Sequence, residues 1–195
     1  MIILTLLLLA LQTTTGPDLS AYPEASPRLL AAAPAVTEIE NVTLRGYEVR
    51  GRNARAVRAS INDGKPADLS GARHDAVTYW NYRWQLSGTN GRCDPARTAV
   101  TYTVTVVLPD LATLNQMNRT DREKWNTYFA ALVLHETNHV RIAAAGAQGV
   151  QQAMRAAPDC AAAQAVGLAE NQRVGAASAE YDRLTSHGRN EGAVF

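Results

Sequence analysis

One short segment of the chain carries residues whose types and spacing suit metal-assisted hydrolysis. It reads His135-Glu136-Thr137-Asn138-His139, an H-E-x-x-H motif. Residues four apart lie on the same face of a helix, so both imidazoles can reach one tetrahedral Zn²⁺. Glu136 then lies beside the open position of the metal, where it can act as a general base. The motif therefore predicts a site for one zinc ion per chain.

The residues around the motif favour a metal over two histidines that merely bond to nearby carbonyls. From Phe129 to Val140 the only acidic or basic side chain besides the histidines is that of Glu136. A carboxylate in a largely apolar helix is costly to bury without a charge partner, and zinc would supply one.

A catalytic zinc site needs one more protein ligand, because such sites normally hold three protein ligands and a water molecule. The chain has two other histidines, His74 and His187. His187 lies at the end of a second predicted helix and is the first choice for the third ligand. Asp182 is the alternative, and His187 would then polarise the substrate carbonyl. Glu170 or Glu180 would instead supply a carboxylate ligand of the thermolysin type.

With such a site, the expected reaction is hydrolysis of peptide bonds in a peptide or protein substrate. Zinc lowers the pKa of its bound water toward ~7, and Glu136 takes up the proton and returns it to the leaving amine. His187, Tyr181 or His74 could donate a hydrogen bond to the developing oxyanion. An extended substrate is expected along a sheet edge beside the motif helix, with the Thr101-to-Val107 strand or its hairpin partner as candidates.

A second hypothesis is a non-catalytic exported domain that binds zinc or another protein. Its metal site would be closed by a fourth ligand, for example by His135, His139, Asp182 and His187 together. Glu136 favours catalysis, because a purely structural zinc site needs no general base beside its ligands.

The motif needs a helix to position it, and the second half of the chain predicts a long one. Thr120 and Glu123 form a capping-box pattern, after which apolar residues recur at helical spacing. We expect this helix to run to about Ala157, because Pro158 would stop it.

A second long helix is expected from about Ala161 to Ser186, as the neighbour of the first. Gly146, Gly149 and the alanines around them would let the two helices pack closely. The neighbouring helix would then bring the candidate third ligand to the motif.

The first half of the chain predicts a small antiparallel sheet of about three to four strands, which makes the fold class α+β. Residues 43–49 alternate as a strand, and Asn53 can cap a short helix that follows. Residues 80–86 and 100–108 alternate apolar with polar side chains. The short connection between them predicts an antiparallel hairpin, which Pro109 is expected to end.

The N-terminal residues predict export. Ile2 to Leu11 form an uncharged, leucine-rich run of about ten residues, the length of a signal-peptide core and about half of a membrane-spanning helix. We expect residues 1–16 to be a signal peptide, 17–36 a Pro/Ala-rich linker and 37–195 the metalloprotease domain. The protein would be secreted or periplasmic, with no stable membrane anchor after signal cleavage.

The two cysteines, Cys93 and Cys160, agree with export. An even count in an exported chain predicts a disulfide, whereas two free thiols would indicate a reducing compartment. Cys93 also resembles the cysteine ligand of peptide deformylases by its place before the motif. Its neighbours Asn90-Gly91-Arg92 and Asp94, however, lack the E-G-C-L-S context of that family.

The overall composition fits one globular domain. The chain has 195 residues, of which 46% are hydrophobic and 19% charged. Its 19 basic and 18 acidic residues leave no surplus of positive charge for binding phosphates, so nucleic acid is not expected as a partner.

Together, these motifs resemble those of bacterial exported proteins that are grouped as a domain of unknown function and described as predicted secreted zinc-dependent proteases. The resemblance begins at the Tyr47-to-Gly51 strand end and includes the Trp80-to-Trp84 strand and Cys93. Its specific part is the H-E-x-x-H motif and a later motif, Tyr181-Asp182-x-x-Thr185-x-His187-Gly188. The resemblance implies a zincin-like peptidase and marks the later motif as part of the site.

Overall fold

The computed structural model describes residues 19–86 and 93–195. The predicted signal peptide lies outside these residues. Within them, we find no helix with the length and apolar character needed to cross a membrane. The main elements in chain order are α1 (Pro27–Ala32), α2 (Pro34–Thr37), β1 (Val42–Val49), α3 (Ala54–Gly64), β2 (Val77–Gln85), β3 (Ala99–Leu111), α4 (Arg119–Arg155) and α5 (Cys160–Thr185).

The three strands form one sheet in the order β1-β3-β2. β2 and β3 are antiparallel, with Val77 opposite Val107, which confirms the predicted hairpin. β1 runs parallel to β3, with Val42 opposite Val104. The α+β class is confirmed, and the sheet is mixed rather than purely antiparallel because β1 has this orientation.

β3 continues through Pro109 to Leu111, so the prediction that proline ends the strand was wrong. The amides of Val104 and Ala112 donate toward β1, so the even-numbered residues of β3 face that strand. The nitrogen of Pro109 therefore faces the other side, where pairing with β2 has already stopped at Val107. The missing N–H of Pro109 therefore removes no hydrogen bond from the sheet.

Residues 27–36, which belong to the predicted linker of residues 17–36, fold onto the domain, so the linker prediction was wrong for them. α1 and α2 start with Pro27 and Pro34, because the fixed φ of proline suits the first helical turn. Leu29, Ala33 and Val36 are buried in the main core. Two helices of six and four residues have too few turns for a helical period to be recognisable in the sequence.

α4 and α5 are the two predicted long helices. The N-cap of α4 is Asn118, two residues before the expected Thr120, and its side-chain oxygen accepts a hydrogen bond from the amide of Asp121 at 2.9 Å. α5 begins after Asp159, whose carboxylate accepts from the amide of Ala162 at 2.8 Å. Both residues satisfy amides of the first turn that have no partner within the helix.

The two long helices pack antiparallel to each other. A Cβ at Gly146 would overlap the side chain of Val174 and lie 2.5 Å from the hydroxyl of Tyr82, so this glycine permits the close contact. Gly149 has no neighbouring atom within 4 Å of the corresponding position, so its predicted role was wrong. At the other end of the contact, Gly167 packs against Met154.

The main core lies between the sheet and the first half of α4. Its fully buried side chains include Val104, Val106, Leu108 and Tyr128. The last residues of β3, 106–111, are all buried, so both faces of the sheet are covered there. This packing holds the motif segment of α4 against the start of β2.

Cys93 and Cys160 form the predicted disulfide, with their Cα atoms 6.3 Å apart. It joins the connection between β2 and β3 to the first residue of α5. The sulfur of Cys93 is therefore bonded to Cys160, and the deformylase-like role does not apply.

Candidate metal centre

Three side chains meet between α4 and α5. The Oδ1 atom of Asp182 lies 3.0 Å from Nε2 of His135 and 3.1 Å from Nε2 of His139, and the two nitrogens are 3.1 Å apart. Both histidines are buried and project from the same face of α4, as their spacing predicts. Within the part of the chain that the structure describes, these residues form the group whose ligand atoms are close enough to hold a metal ion.

Hydrogen bonds on the far sides of the rings aim both histidines at this point. Nδ1 of His135 lies 2.8 Å from Oε2 of Glu191, and Nδ1 of His139 lies 2.8 Å from Oγ of Ser178. Because a carboxylate only accepts, Nδ1 of His135 carries the hydrogen. In the neutral ring, Nε2 of His135 then presents its lone pair to the carboxylate oxygen of Asp182.

The residues fit a divalent cation. A lone pair and a carboxylate oxygen about 3 Å apart need a positive partner between them, which a proton or a metal ion can supply. Two imidazole nitrogens and one carboxylate oxygen are a ligand set that zinc accepts, with a fourth position left for water or substrate. The hydrogen bonds behind the rings are those that orient metal-binding histidines.

The electrostatics of the group favour positive charge beside Asp182. Burial disfavours the charged ring of His135, but its bond to Asp182 and the nearby Glu136 and Glu191 outweigh burial and raise the pKa of His135. Burial likewise disfavours the charged form of Asp182, yet the bonds from both histidines hold the pKa of its carboxyl well below the usual range. The site thus stabilises an anion that faces a cation.

Glu136 lies next to this group and is only 3% exposed. Burial raises the pKa of Glu136, and the charges of the histidines and the hydrogen bond from Thr78 only partly oppose that rise. The hydroxyl of Thr78, on β2, donates to Oε2 of Glu136 at 2.7 Å. The carboxyl group is therefore held in place from the sheet and is suited to taking up a proton.

His187, the first choice for the third ligand, lies outside the group of three. Its Nδ1 is 3.3 Å from Oδ1 of Asp182, and its side chain is more than half exposed. His74 stacks on it with ring centroids 4.6 Å apart, and Nε2 of His74 lies 3.1 Å from Oδ2 of Asp68. Together with His135 and His139, the chain's four histidines thus all line one cleft.

The other candidates for the site have different partners. Glu170 and Glu180 pair with Arg173 and Arg183 on α5 and are not part of the group. The hydroxyl of Tyr181 donates to Oε1 of Glu191 and so has an acceptor already. Of the three predicted oxyanion donors, His187 and His74 line the cleft.

The cleft has a volume of about 1120 Å³ and runs past the start of β2. Residues 101–107 belong to the central strand β3, so this strand is not the substrate-binding edge. The edge beside the motif is β2. Tyr79 and Asn81 lie opposite Thr105 and Thr103, two odd-numbered residues of β3 whose amides and carbonyls face β2. The amides and carbonyls of Thr78 and Trp80 therefore face outward.

Three residues of the site were not found from the sequence: Thr78, Ser178 and Glu191. Ser178 carries a usable signal, because it lies four residues before Asp182 just as His135 lies four before His139. Glu191 carries no such signal, because it follows a turn in which Ser186 and His187 have positive φ.

Comparison with known proteins gives one match. No curated protein and no solved structure is significantly similar to the chain. Residues 44–188, more than half of the chain, match the family described as "Bacterial protein of unknown function (DUF922)". This range includes the hairpin, the H-E-x-x-H motif and the later motif with Asp182 and His187. The chain therefore belongs to the DUF922 family of bacterial proteins.

Proposed function

We propose that this protein is an exported zinc-dependent peptidase, with His135, His139 and Asp182 as zinc ligands and Glu136 as the general base. The observation that carries the proposal is the meeting of three ligand atoms within 3.1 Å of one another, beside a buried glutamate. A site that only binds metal has no use for that carboxylate.

The chemistry divides between the metal and the chain's own side chains. Bound zinc would supply an activated water and a positive charge that polarises the substrate carbonyl. Glu136 accepts the proton of the attacking water and passes it to the nitrogen of the leaving amine. Thr78 holds Oε2 of Glu136, which leaves Oε1 to carry the proton. The raised pKa of Glu136 helps it to retain that proton until the amine departs.

The edge of β2 is suited to bind an extended polypeptide. The outward amides and carbonyls of Thr78 and Trp80 lie on the wall of the cleft that also contains Glu136. A substrate strand paired with them gains main-chain hydrogen bonds without regard to its side chains. His187, at the end of α5, lines the same cleft and would donate to the substrate carbonyl.

Export is supported by the disulfide between Cys93 and Cys160. Such bonds persist in oxidising compartments, including the bacterial periplasm and the medium outside the cell. The peptidase would therefore act on peptides or proteins outside the cytoplasm.

The test is hydrolysis of a fluorogenic peptide library by the exported protein loaded with zinc. Glu136→Gln should lower the rate by about 100-fold or more, because proton transfer is lost, while zinc content by elemental analysis stays the same. Glu180→Gln, at an exposed glutamate paired with Arg183, is the matched control and should keep the wild-type rate. A zinc-loaded protein without any hydrolysis would favour the non-catalytic zinc-binding domain.

A further inference from the structure

We infer that Glu191 is a positioning residue that sets the metal affinity of the site through His135. The inference rests on the metal-binding part of the proposed function and is independent of peptidase activity. Glu191 lies outside the helix pair that carries the three ligands, in a short turn of helix over Arg189–Glu191.

Both carboxylate oxygens of Glu191 are engaged. Oε2 accepts from Nδ1 of His135 at 2.8 Å, and Oε1 accepts from the hydroxyl of Tyr181 at 2.7 Å. The side chain is 23% exposed, so water competes weakly for these bonds. Glu191 is thus fixed by one bond to the candidate ligand and a second bond to its neighbour.

Tyr181 is itself held in a way that supports this arrangement. Its ring stacks on the ring of His135 with centroids 4.9 Å apart and an interplanar angle of 19°. Its hydroxyl accepts from Nδ2 of Asn138 at 2.8 Å, inside the H-E-x-x-H motif. His135 is therefore clamped on its face by Tyr181 and on its edge by Glu191.

The backbone takes an unfavourable path to deliver Glu191. Residues 186–192, here called the 186–192 turn, contain positive φ at Ser186 (51°), His187 (53°), Gly188 (77°) and Gly192 (97°). Non-glycine residues adopt this region at a cost, which is typical of positions that serve a site. Gly188 permits the turn to lie on His135, since a Cβ there would be 3.0 Å from Cγ of the ring.

The consequence concerns the lone pair that a metal needs. The bond from Nδ1 to Glu191 keeps the hydrogen on that nitrogen, so Nε2 of His135 is free to bind. The carboxylate also makes the imidazole a stronger donor to the metal. Loss of such a partner typically lowers metal affinity by about 10–100-fold.

The experiment measures the zinc dissociation constant of the exported protein by competition with a chromogenic chelator. Glu191→Ala should weaken zinc binding by about 10–100-fold. The zinc dissociation constant of Glu191→Gln should lie between those of Glu191→Ala and wild type, because the amide oxygen of glutamine can still accept a hydrogen bond from His135. Glu180→Ala removes an exposed carboxylate of α5 and should stay within about twofold of wild type.

A second readout separates positioning from a general structural role. Nitrogen-15 NMR of the metal-free protein, recorded at a pH high enough for the ring of His135 to be neutral, should show its hydrogen on Nδ1 in wild type and a mixture of tautomers in Glu191→Ala. Unchanged zinc affinity in both Glu191 variants would overturn the inference, as would weakened affinity with an unchanged tautomer. If Glu191→Ala fails to fold, Glu191→Gln decides. Absence of peptidase activity would refute the proposed reaction and leave these measurements intact.

Discussion

Asp182 and His187 are the two candidates for the third metal ligand, and their contacts distinguish them. Oδ1 of Asp182 lies 3.0 and 3.1 Å from Nε2 of the two motif histidines. His187 contacts the same oxygen at 3.3 Å but is not part of the group whose ligand atoms all lie close together. Asp182 is also on the regular part of α5, while His187 follows its left-handed end. The geometry therefore favours Asp182 over His187 as the third ligand of the proposed metal, and His187 lines the cleft.

This assignment predicts opposite outcomes for two substitutions. Asp182→Ala should lose most of its zinc during dialysis, because only two protein ligands remain. His187→Ala should keep about one zinc per chain, and hydrolysis should slow by about 100-fold if its ring stabilises the oxyanion. Elemental analysis and peptide hydrolysis check both. Zinc loss from His187→Ala with retention in Asp182→Ala would restore His187 as the ligand.

The sequence predicts the part of the site that lies within one helix. His135, Glu136 and His139 are related by helical spacing, which local structure alone determines. Asp182 and His187 are five residues apart, and the choice between them depends on how α5 lies along α4. That register depends on contacts such as the one between Gly146 and Val174, and the sequence indicates the glycine but not its partner on α5.

Among the elements, the contact between α4, α5 and β2 decides where Asp182 lies relative to the motif. Gly146 lies in this contact, where a Cβ would meet Val174 of α5 and Tyr82 of β2. The hydroxyl of Tyr82 donates to the carbonyl of Ala143 at 2.5 Å, which joins the sheet edge to α4. Separation of the two helices here would draw Asp182 away from the histidines.

Substitution of Gly146 by alanine tests the contact between α4, α5 and β2, and the same substitution at Gly149 is its control. Gly146→Ala should destabilise the protein by about 1 kcal/mol, because overpacking against Val174 outweighs the gain in helix propensity. Gly149→Ala faces open space and should stabilise by about 1 kcal/mol, since only the propensity gain remains. Urea unfolding measures both. Equal effects of the two substitutions would mean that Gly146 is not a close contact.

Elements with long periodic patterns were predictable, and those that depend on tertiary contacts were not. The β2–β3 hairpin and both long helices follow from alternation and helical spacing. The parallel pairing of β1 with β3 has no local signature, because a strand's partner direction is determined by the connection and the core. Leu29 and Val36 likewise become core residues only when α1 and α2 dock on the domain.

For the whole molecule, Asp75 is a junction between several elements. Its carboxylate pairs with Arg58 of α3 at 2.7 Å and with Lys65 at 3.0 Å, and accepts from the hydroxyl of Tyr128 on α4 at 2.7 Å. Its backbone carbonyl accepts from the hydroxyl of Tyr47 on β1 at 2.7 Å. The junction holds the chain between α3 and β2, which forms a wall of the cleft.

The junction predicts a pH dependence of stability. Burial acts to raise the pKa of Asp75, but the bonds from Tyr128, Arg58 and Lys65 prevail and lower it. Because the folded pKa lies below the unfolded one, this stabilisation is present above about pH 4 and is lost as the pH falls through the folded value. Asp75→Asn should lower the free energy of unfolding by about 2 kcal/mol at pH 7. This difference from wild type should become smaller below about pH 4.

Urea unfolding at several pH values measures the difference in unfolding free energy between Asp75→Asn and wild type. We expect a measurable difference because the side chain of Asp75 is only 18% exposed. Asp63→Asn, at an exposed residue of α3, is the control and should change the unfolding free energy by less than about 0.5 kcal/mol at pH 7. A constant difference between Asp75→Asn and wild type from pH 7 to pH 3 would contradict the assigned ion pairs.

The disulfide is the other device that acts on the whole molecule, because it closes a loop between residues 67 apart in sequence. In the chain-entropy description, a loop of this length stabilises the folded state by about 4 kcal/mol. Replacing both Cys93 and Cys160 by serine should therefore lower the unfolding free energy by about that amount. Zinc affinity should stay within about twofold of wild type, because Asp182 lies about 30 Å farther along α5.

Mass spectrometry of the exported, unreduced protein provides the direct check. Alkylation before reduction should modify neither cysteine, and alkylation after reduction should modify both. If Cys93 and Cys160 were found as free thiols, the disulfide would be absent in the native protein and the proposed export would lose its structural support. An intact disulfide together with weakened zinc binding in the double serine variant would instead mean that the covalent link holds α5 in register with the motif.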